Sequence, residues 1–245
     1  NLLYRQQLQQ FSRTQKVRFL HQLRTFLKEL CEGVSKMAGF VWVLDRSKFL
    51  SPQEVKRLLG TARKLAEQAL LYDHKATVRD YFIIHLALST GLRVTEIAQL
   101  NCGDFFVDDH TGSLIVRNGK GGKKRLVRFN SVFKRHYEEY LHWKQAGEEP
   151  VRPGAPLLRS SHTGGHMTSR AIEKAFKRIA AKAGLPGHYS IHCLRHTYAC
   201  QLYKASGYNL RLVQKQLGHS NSHTTEVYAD VMDPDVTKSL EKLYT

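Results

Sequence analysis

Two arginines, two histidines and one tyrosine have the types and spacing to do chemistry on a phosphodiester. His192 and Arg195 stand three residues apart in H-C-L-R-H, and His219 follows in Q-L-G-H-S. Tyr228 comes nine residues after His219, whereas Arg93 lies far upstream in T-G-L-R-V-T-E-I. Guanidinium groups match phosphate oxygens and keep their charge, and a tyrosine beside them is a candidate nucleophile toward phosphorus. The set has no paired carboxylates to hold a metal, so it predicts metal-independent transfer of a DNA strand.

A zinc site is the competing interpretation of the same segment. His192 and His196 are four residues apart, and Cys193 and Cys200 lie on the same expected helix. However, Cys193 would point about 100° away from His192, and no second pair of ligands follows at finger-like spacing. We therefore expect no metal, and we expect the two cysteines to face the core.

The charge of the chain predicts a polyanionic partner. The 245 residues include 38 Lys and Arg against 21 Asp and Glu, which gives a formal net charge of +17. An excess of this size is typical of proteins that bind nucleic acid. The apolar runs all fall short of the roughly 20 residues that a membrane helix needs, so no membrane partner is expected.

Hydrophobic periodicity predicts a mainly α-helical chain with a small antiparallel β-sheet, an α+β fold. Ser51 and Glu54 form a capping box with Pro52 at the first helical position, which predicts a sharp helix start. The predicted helices are 1–30, 54–72, 77–89, a short one at Arg93, 132–145, 168–183, 190–205, 210–217 and a short one near 224–228. Two strands, 113–117 and 124–129, are predicted to form a hairpin around a glycine-rich turn.

The hairpin is strongly basic. Its cationic residues are Arg117, Lys120, Lys123, Lys124, Arg125 and Arg128, with no acidic residue among them. A phosphate-binding P-loop does not fit, because Gly121 rather than Ser or Thr follows Lys120 and no strand-to-helix context follows. The residues alone leave two interpretations open, a DNA-binding turn and a merely solvated one.

Three segments together resemble the conserved boxes of the tyrosine recombinase family, which includes phage integrases and Xer-type proteins. They are T-G-L-R-V-T-E-I-A-Q-L, H-C-L-R-H-T-Y-A and L-G-H-S…T-T-E-V-Y, and the resemblance spans roughly residues 46 to 245. It implies a site-specific DNA recombinase, an integrase that cuts and rejoins strands through a covalent 3′-phosphotyrosyl intermediate. It also implies that neither metal, ATP nor another cofactor takes part.

The resemblance implies a role for each of the five residues. Arg93 and Arg195 would bind the non-bridging oxygens of the scissile phosphate, and His219 would add a third donor. His192 would be the acid–base partner of the attacking group. Tyr228 would be the nucleophile and would end joined to the 3′-phosphate.

The hairpin and the segment after Arg93 supply further residues by resemblance. Lys120 matches the lysine that protonates the leaving 5′-oxygen, with Lys123 as the second choice. Glu96 matches a residue that supports the active site, although an i,i+3 pair of Arg93 and Glu96 on a helix surface is the plain alternative. The residues expected to contact DNA are Arg117, Lys123, Lys124, Arg125 and Arg128.

The resemblance also implies two domains and an assembly. Residues 1–45 are expected to hold the last helices of a truncated core-binding domain plus a linker, and 46–245 the catalytic domain. Val236, Leu240 and Leu243 form an apolar stripe on a terminal helix, which would dock on a neighbouring subunit of a homo-tetramer or, alternatively, pack in cis. The expected partners are double-stranded DNA recombination sites, in the cytoplasm.

Two other functions use overlapping features. A type IB topoisomerase relaxes supercoils with the same chemistry and has no need of an exchangeable terminal helix. A DNA-binding accessory protein without catalytic activity would share the basic charge but has no need of all six catalytic candidates. The complete set of candidates favours the recombinase.

Overall fold

The computed structural model describes residues 48–72, 74–108, 112–117 and 124–218. These ranges contain seven α-helices, a short 3₁₀ turn and three strands. In chain order they are α1 Pro52–Leu71, α2 Lys75–Thr90, α3 Val94–Ala98, the 3₁₀ turn Cys102–Asp104, β1 Phe105–Val107, β2 Gly112–Val116, β3 Arg125–Phe129, α4 Ser131–Ala146, α5 Ser169–Lys182, α6 Ile191–Ala205 and α7 Leu210–Leu217. The predicted mainly helical fold with a small antiparallel sheet is confirmed.

Helix α1 begins where the capping box predicts. The Ser51 hydroxyl accepts from the Glu54 backbone N–H at 3.3 Å, and the Glu54 carboxylate accepts from the Ser51 backbone N–H at 2.8 Å. These reciprocal bonds satisfy donors that a helix start otherwise leaves unpaired. One face of α1 then buries Leu58 and three alanines against α2.

Helix α2 is the central element of the core. Phe82, Ile83, Ile84 and Leu86 are all fully buried, because α1, α4, α5 and α6 pack around this helix. It ends at Gly91, which has φ +61°, a left-handed conformation that favours glycine. A Cβ at that position would also clash with the Tyr198 ring, so the chain can turn toward α3 here only with glycine.

The sheet has one more strand than the sequence predicted. Strands β1, β2 and β3 pair antiparallel in that order, with Phe105 opposite Leu114 and Leu114 opposite Val127. These three side chains are buried on the face that packs on the core. Strand β1 was missed because it is three residues long and follows directly on the 3₁₀ turn, which leaves no room for a pattern of alternation.

Helices α6 and α7 form a second, smaller core next to the main one. Tyr198, Cys200 and Tyr203 on α6 pack with Val213 and Leu217 on α7. Both Cys193 and Cys200 are buried, which confirms the prediction that they face the core. No group of three or more His, Cys, Asp or Glu among the described residues could hold a metal ion.

Three structural expectations fall on residues outside the described ranges. They are the helices of residues 1–45, the short helix near 224–228 and the terminal stripe of Val236, Leu240 and Leu243, so these, the domain division and the helix exchange stay predictions. Within the described ranges, no helix combines the length and the hydrophobicity needed to cross a membrane.

Candidate active site

The described residues hold half of the predicted catalytic set. Arg93, His192 and Arg195 all lie within them, whereas Lys120, His219 and Tyr228 lie outside. The structure therefore gives the surroundings of the first three only, and the catalytic roles of all six residues stay predictions.

Arg195 is buried on α6, and its guanidinium joins two other elements. Its Nη1 donates to the carbonyl oxygen of Gly91 at the end of α2, and its Nη2 donates to that of Leu217 at 3.0 Å. Leu217 is the last residue of α7 and stands two positions before His219. These bonds fix the position of the guanidinium between the end of α2 and the end of α7.

Arg93 stands at the N-cap of α3, two residues after Gly91, and its side chain is 28% exposed. Its Nη1 donates to Glu96 Oε1 at 2.9 Å, and its backbone N–H donates to Glu96 Oε2 at 2.8 Å. The i,i+3 pair that offered a plain alternative is therefore present. The pair is compatible with an active-site role, because it holds the arginine in a partly open position beside the Gly91 turn that Arg195 contacts.

Glu96 is a buried carboxylate that pairs with two arginines, Arg93 and Arg125. Its side chain is 3% exposed, and its two carboxylate oxygens also accept hydrogen bonds from the two Nη atoms of Arg125, each at 2.8 Å. Burial alone would raise the pKa of the carboxyl group. The hydrogen bonds and charge of Arg125, followed by those of Arg93, outweigh burial and lower the pKa of Glu96 to about 2.

The position of Arg125 differs from the exposed, phosphate-facing side chain that the basic hairpin predicts. Its side chain is only 12% exposed, and both terminal nitrogens are bound to Glu96. The two-residue alternation of a strand places Arg125 on the same face as the buried Val127 and Phe129. That alternation was a signal in the sequence for an inward-facing arginine, and the interpretation by charge alone overlooked it.

The other predicted DNA contacts have different surroundings. Arg117 is half exposed, and its Nε donates to the carboxylate of the buried Asp104. Arg128 is exposed on β3 and Lys124 is exposed directly before that strand, whereas Lys123 lies outside the described residues. Contacts of these side chains with DNA stay predictions.

The two histidines of α6 differ in exposure. His192 is exposed in the first turn, one turn before Arg195. His196 is half-buried, and its pKa is lowered to about 4 by burial and then by the positive charge of Arg195 and by His192 and Lys48. His196 is thus partly packed inside, whereas His192 is open to solvent.

The end of α7 lies against Arg125. Gly218 caps the helix with φ +67°, and a Cβ at this position would lie 2.7 Å from Arg125 Nε and closer still to Cδ. A side chain here is excluded both by the backbone conformation and by the arginine. The glycine of the L-G-H-S segment therefore lets α7 end directly on Arg125, with His219 next in the chain.

Known proteins resemble this chain over most of its length. The model of the phage integrase family matches residues 48–234. Tyrosine recombinase XerD of Rhizobium meliloti (strain 1021) is 32% identical over 233 residues, which cover 92% of this chain and 72% of the relative. Tyrosine recombinase XerC of Caldanaerobacter subterraneus subsp. tengcongensis is 32% identical over 195 residues, which cover 79% of this chain and 50% of the relative.

A solved structure resembles the fold as well. The crystal structure of the XerH site-specific recombinase bound to difH substrate, a pre-cleavage complex, superposes with a TM-score of 0.62 at 26% identity. The match covers 81% of this chain and 53% of that chain. The chain thus spans from half to less than three quarters of the length of these three proteins. On the family match over residues 48–234 and the similarity to XerD, the chain belongs to the phage integrase family of tyrosine recombinases.

Proposed function

We propose that this chain is the catalytic part of a site-specific recombinase that exchanges DNA strands through a 3′-phosphotyrosyl intermediate. The observation that carries the proposal is the hydrogen bond from the Arg195 guanidinium to the carbonyl oxygen of Gly91, two residues before Arg93. This bond ties the two arginines to the same turn, and His192 is exposed one helical turn before Arg195. Two fixed cations suit an anion whose charge must be stabilised during attack.

The chemistry begins with a phosphodiester held by its non-bridging oxygens. Arg93 and Arg195 bind these oxygens, with His219 as a further donor. Preorganised donors of this kind contribute roughly 2.7–4 kcal/mol each to transition-state stabilisation in other enzymes. They need no metal, because guanidinium groups supply both the charge and the hydrogen bonds.

Strand cleavage then exchanges one phosphoester bond for another. The Tyr228 hydroxyl attacks phosphorus as its proton passes to His192, and a bond forms between the tyrosine oxygen and the 3′-phosphate. The bond from phosphorus to the 5′-oxygen breaks, and Lys120 gives that oxygen a proton. Attack by the 5′-hydroxyl of another strand reverses these events and rejoins the DNA, so no ATP is consumed.

The partner is double-stranded DNA carrying recombination sites, and four copies of the chain assemble on a pair of sites. The net charge of +17 supports DNA binding, and the related XerH was solved on its difH substrate. The apolar stripe of Val236, Leu240 and Leu243 links neighbouring subunits by docking in trans. In the cell, the protein acts in the cytoplasm where it meets DNA.

A suicide substrate tests this function. DNA nicked near the cleavage site loses a short 5′-hydroxyl fragment after attack, so wild-type protein should accumulate as a covalent adduct in the presence of a chelator. Tyr228→Phe should bind the same DNA and form no adduct, since it lacks the attacking hydroxyl.

Two outcomes would contradict the proposal. An accessory protein would give no adduct with any substrate. A topoisomerase would relax supercoiled plasmid that lacks a recombination site as fast as plasmid that carries one.

A further inference from the structure

We propose that Arg125 is a positioning residue for strand cleavage, which holds Arg93 in place through Glu96 and sets the end of α7 against the same site. The inference rests on the proposed function and assigns Arg125 a task different from the phosphate contact that its charge suggested.

The first observation is the sharing of one carboxylate by two arginines. Glu96 Oε1 accepts from Arg93 Nη1 at 2.9 Å and from Arg125 Nη1 at 2.8 Å. Glu96 Oε2 accepts from the Arg93 backbone N–H and from Arg125 Nη2, both at 2.8 Å. Each carboxylate oxygen thus accepts one hydrogen bond from Arg93 and one from Arg125. The carboxylate therefore cannot turn toward Arg93 without losing its bonds to Arg125.

The second observation is the burial of Arg125 compared with Arg93. The Arg125 side chain is 12% exposed and the Arg93 side chain 28%. The inner arginine forms the bidentate pair with Glu96, and the outer one meets the carboxylate through a single guanidinium nitrogen. Bidentate pairs fix geometry more strictly than single bonds. Arg125 therefore orients Glu96, and the remaining lone pairs of Glu96 orient Arg93.

The third observation is the contact between Arg125 and α7. The arginine stem lies so close to Gly218 that no Cβ fits there. Arg195 holds the neighbouring Leu217 through its carbonyl oxygen at 3.0 Å and holds Gly91 in the same way. Arg125 and Arg195 thus both contact the end of α7, directly before the predicted catalytic His219 in the chain.

Loss of Arg125 should therefore affect the rate of cleavage more than the binding of DNA. Glu96 would remain buried with Arg93 as its only cationic partner among the described residues, and it would draw that guanidinium inward from the phosphate. A displacement of about 1 Å in a catalytic group can cost on the order of 10²-fold in rate. A phosphate contact would behave differently, since its loss weakens binding and reduces the salt slope by roughly 0.9.

The test is a single-turnover cleavage assay on a suicide substrate at saturating DNA. Arg125→Met should lower the rate constant of adduct formation by about 10²-fold, with an unchanged dissociation constant and an unchanged salt slope. Arg63→Met on α1 removes the same charge from an exposed i,i+4 pair and should cleave like wild type. If the Met variant does not fold, Arg125→Lys replaces it, since it keeps a cation beside Glu96. This variant too should lower the rate constant of adduct formation and leave the dissociation constant unchanged.

A second substrate separates positioning from general damage to the fold. A methylphosphonate at the scissile position has no negative charge, so cleavage depends less on the guanidinium of Arg93. The defect of Arg125→Met should shrink on this substrate. In a double-mutant cycle, Glu96→Gln combined with Arg125→Met should be scarcely slower than the slower single variant, since both act through one carboxylate.

Three results would overturn the inference. Weaker binding with a reduced salt slope and an unchanged saturating rate would make Arg125 a DNA contact. Equal defects on the phosphate and methylphosphonate substrates, or fully additive effects in the cycle, would make its role structural. Absence of any adduct from wild-type protein is a different failure, because it removes the proposed function itself and this inference with it.

Discussion

Glu96 links the stability of the catalytic region to the ionisation of a single carboxyl group. Its four hydrogen bonds come from two residues on different elements, and its side chain is nearly inaccessible to solvent. A buried carboxylate with two guanidinium partners stabilises the fold only while it is ionised. The folded protein should therefore lose this contribution in acid.

The pH dependence of unfolding gives the first prediction. The folded pKa of Glu96 is about 2 against 4.5 for the ordinary group, so the carboxylate adds stability that is fully present above about pH 4.5 and is lost as the pH falls toward 2. A shift of this size corresponds to at most about 3 kcal/mol. Urea unfolding of wild type and Glu96→Gln should thus differ most near neutral pH, and the difference should narrow between pH 5 and pH 3.

A variant on the surface serves as the control for this measurement. Glu67 forms an exposed pair with Arg63, and such pairs contribute about 0–1 kcal/mol. Glu67→Gln should change the free energy of unfolding by less than Glu96→Gln does near neutral pH. A gap between wild type and Glu96→Gln that stays constant from pH 7 to pH 3 would contradict the ionised, doubly paired carboxylate.

At the scale of elements, the end of α7 is held by sterics as well as by hydrogen bonds. Gly218 has φ +67° and lies on the Arg125 stem, while Gly207 has φ +65° with nothing within 4 Å of where a Cβ would be. The two glycines share a backbone conformation and differ in their surroundings. They form a matched pair that separates the cost of backbone strain from the cost of a clash.

Alanine substitutions at these glycines give the second prediction. Gly207→Ala should lower stability by about 1–3 kcal/mol, the usual cost of a left-handed non-glycine residue. Gly218→Ala should lower it further, and it should also slow cleavage because Arg125 must move. Thermal unfolding and single-turnover cleavage measure the two effects. Equal behaviour of both variants would mean that α7 does not depend on its contact with Arg125.

The elements show what the sequence could predict. Long periodic helices such as α1, with its Ser51–Glu54 box, were predictable because local hydrogen bonds and a wide apolar face both mark them. Strand β1 was not, since three residues carry too little alternation. The alternation of β3 indicated that Arg125 faces inward, but its partner Glu96 lies 29 positions away, and no local pattern identifies that partner.

At the scale of the whole molecule, the positive charge predicts steep salt dependence of DNA binding. The side chains of Lys124, directly before β3, and of Arg128 on β3 are exposed, whereas that of Arg125 is not. Each phosphate contact on duplex DNA contributes a slope of roughly −0.9 in log affinity against log salt. The double variant Lys124→Gln with Arg128→Gln should therefore reduce the slope by about 1.8 without changing the preferred DNA sequence.

Fluorescence anisotropy over a salt series measures this slope. The same series with Arg125→Met serves as the internal comparison, since that variant should keep the wild-type slope. A salt-independent affinity of the wild-type protein would remove the electrostatic basis for DNA binding.

In the proposed reaction, Tyr228, 33 positions after Arg195 and beyond the described helices, attacks the phosphate that the arginines hold. The most direct measurement is mass spectrometry of the protease-digested covalent adduct trapped on a suicide substrate. We predict that the nucleotide is linked through a 3′-phosphate to the peptide containing Tyr228, and that adding a chelator does not reduce the yield. A nucleotide attached to any other residue, or an adduct that forms only with a divalent metal, would contradict the account.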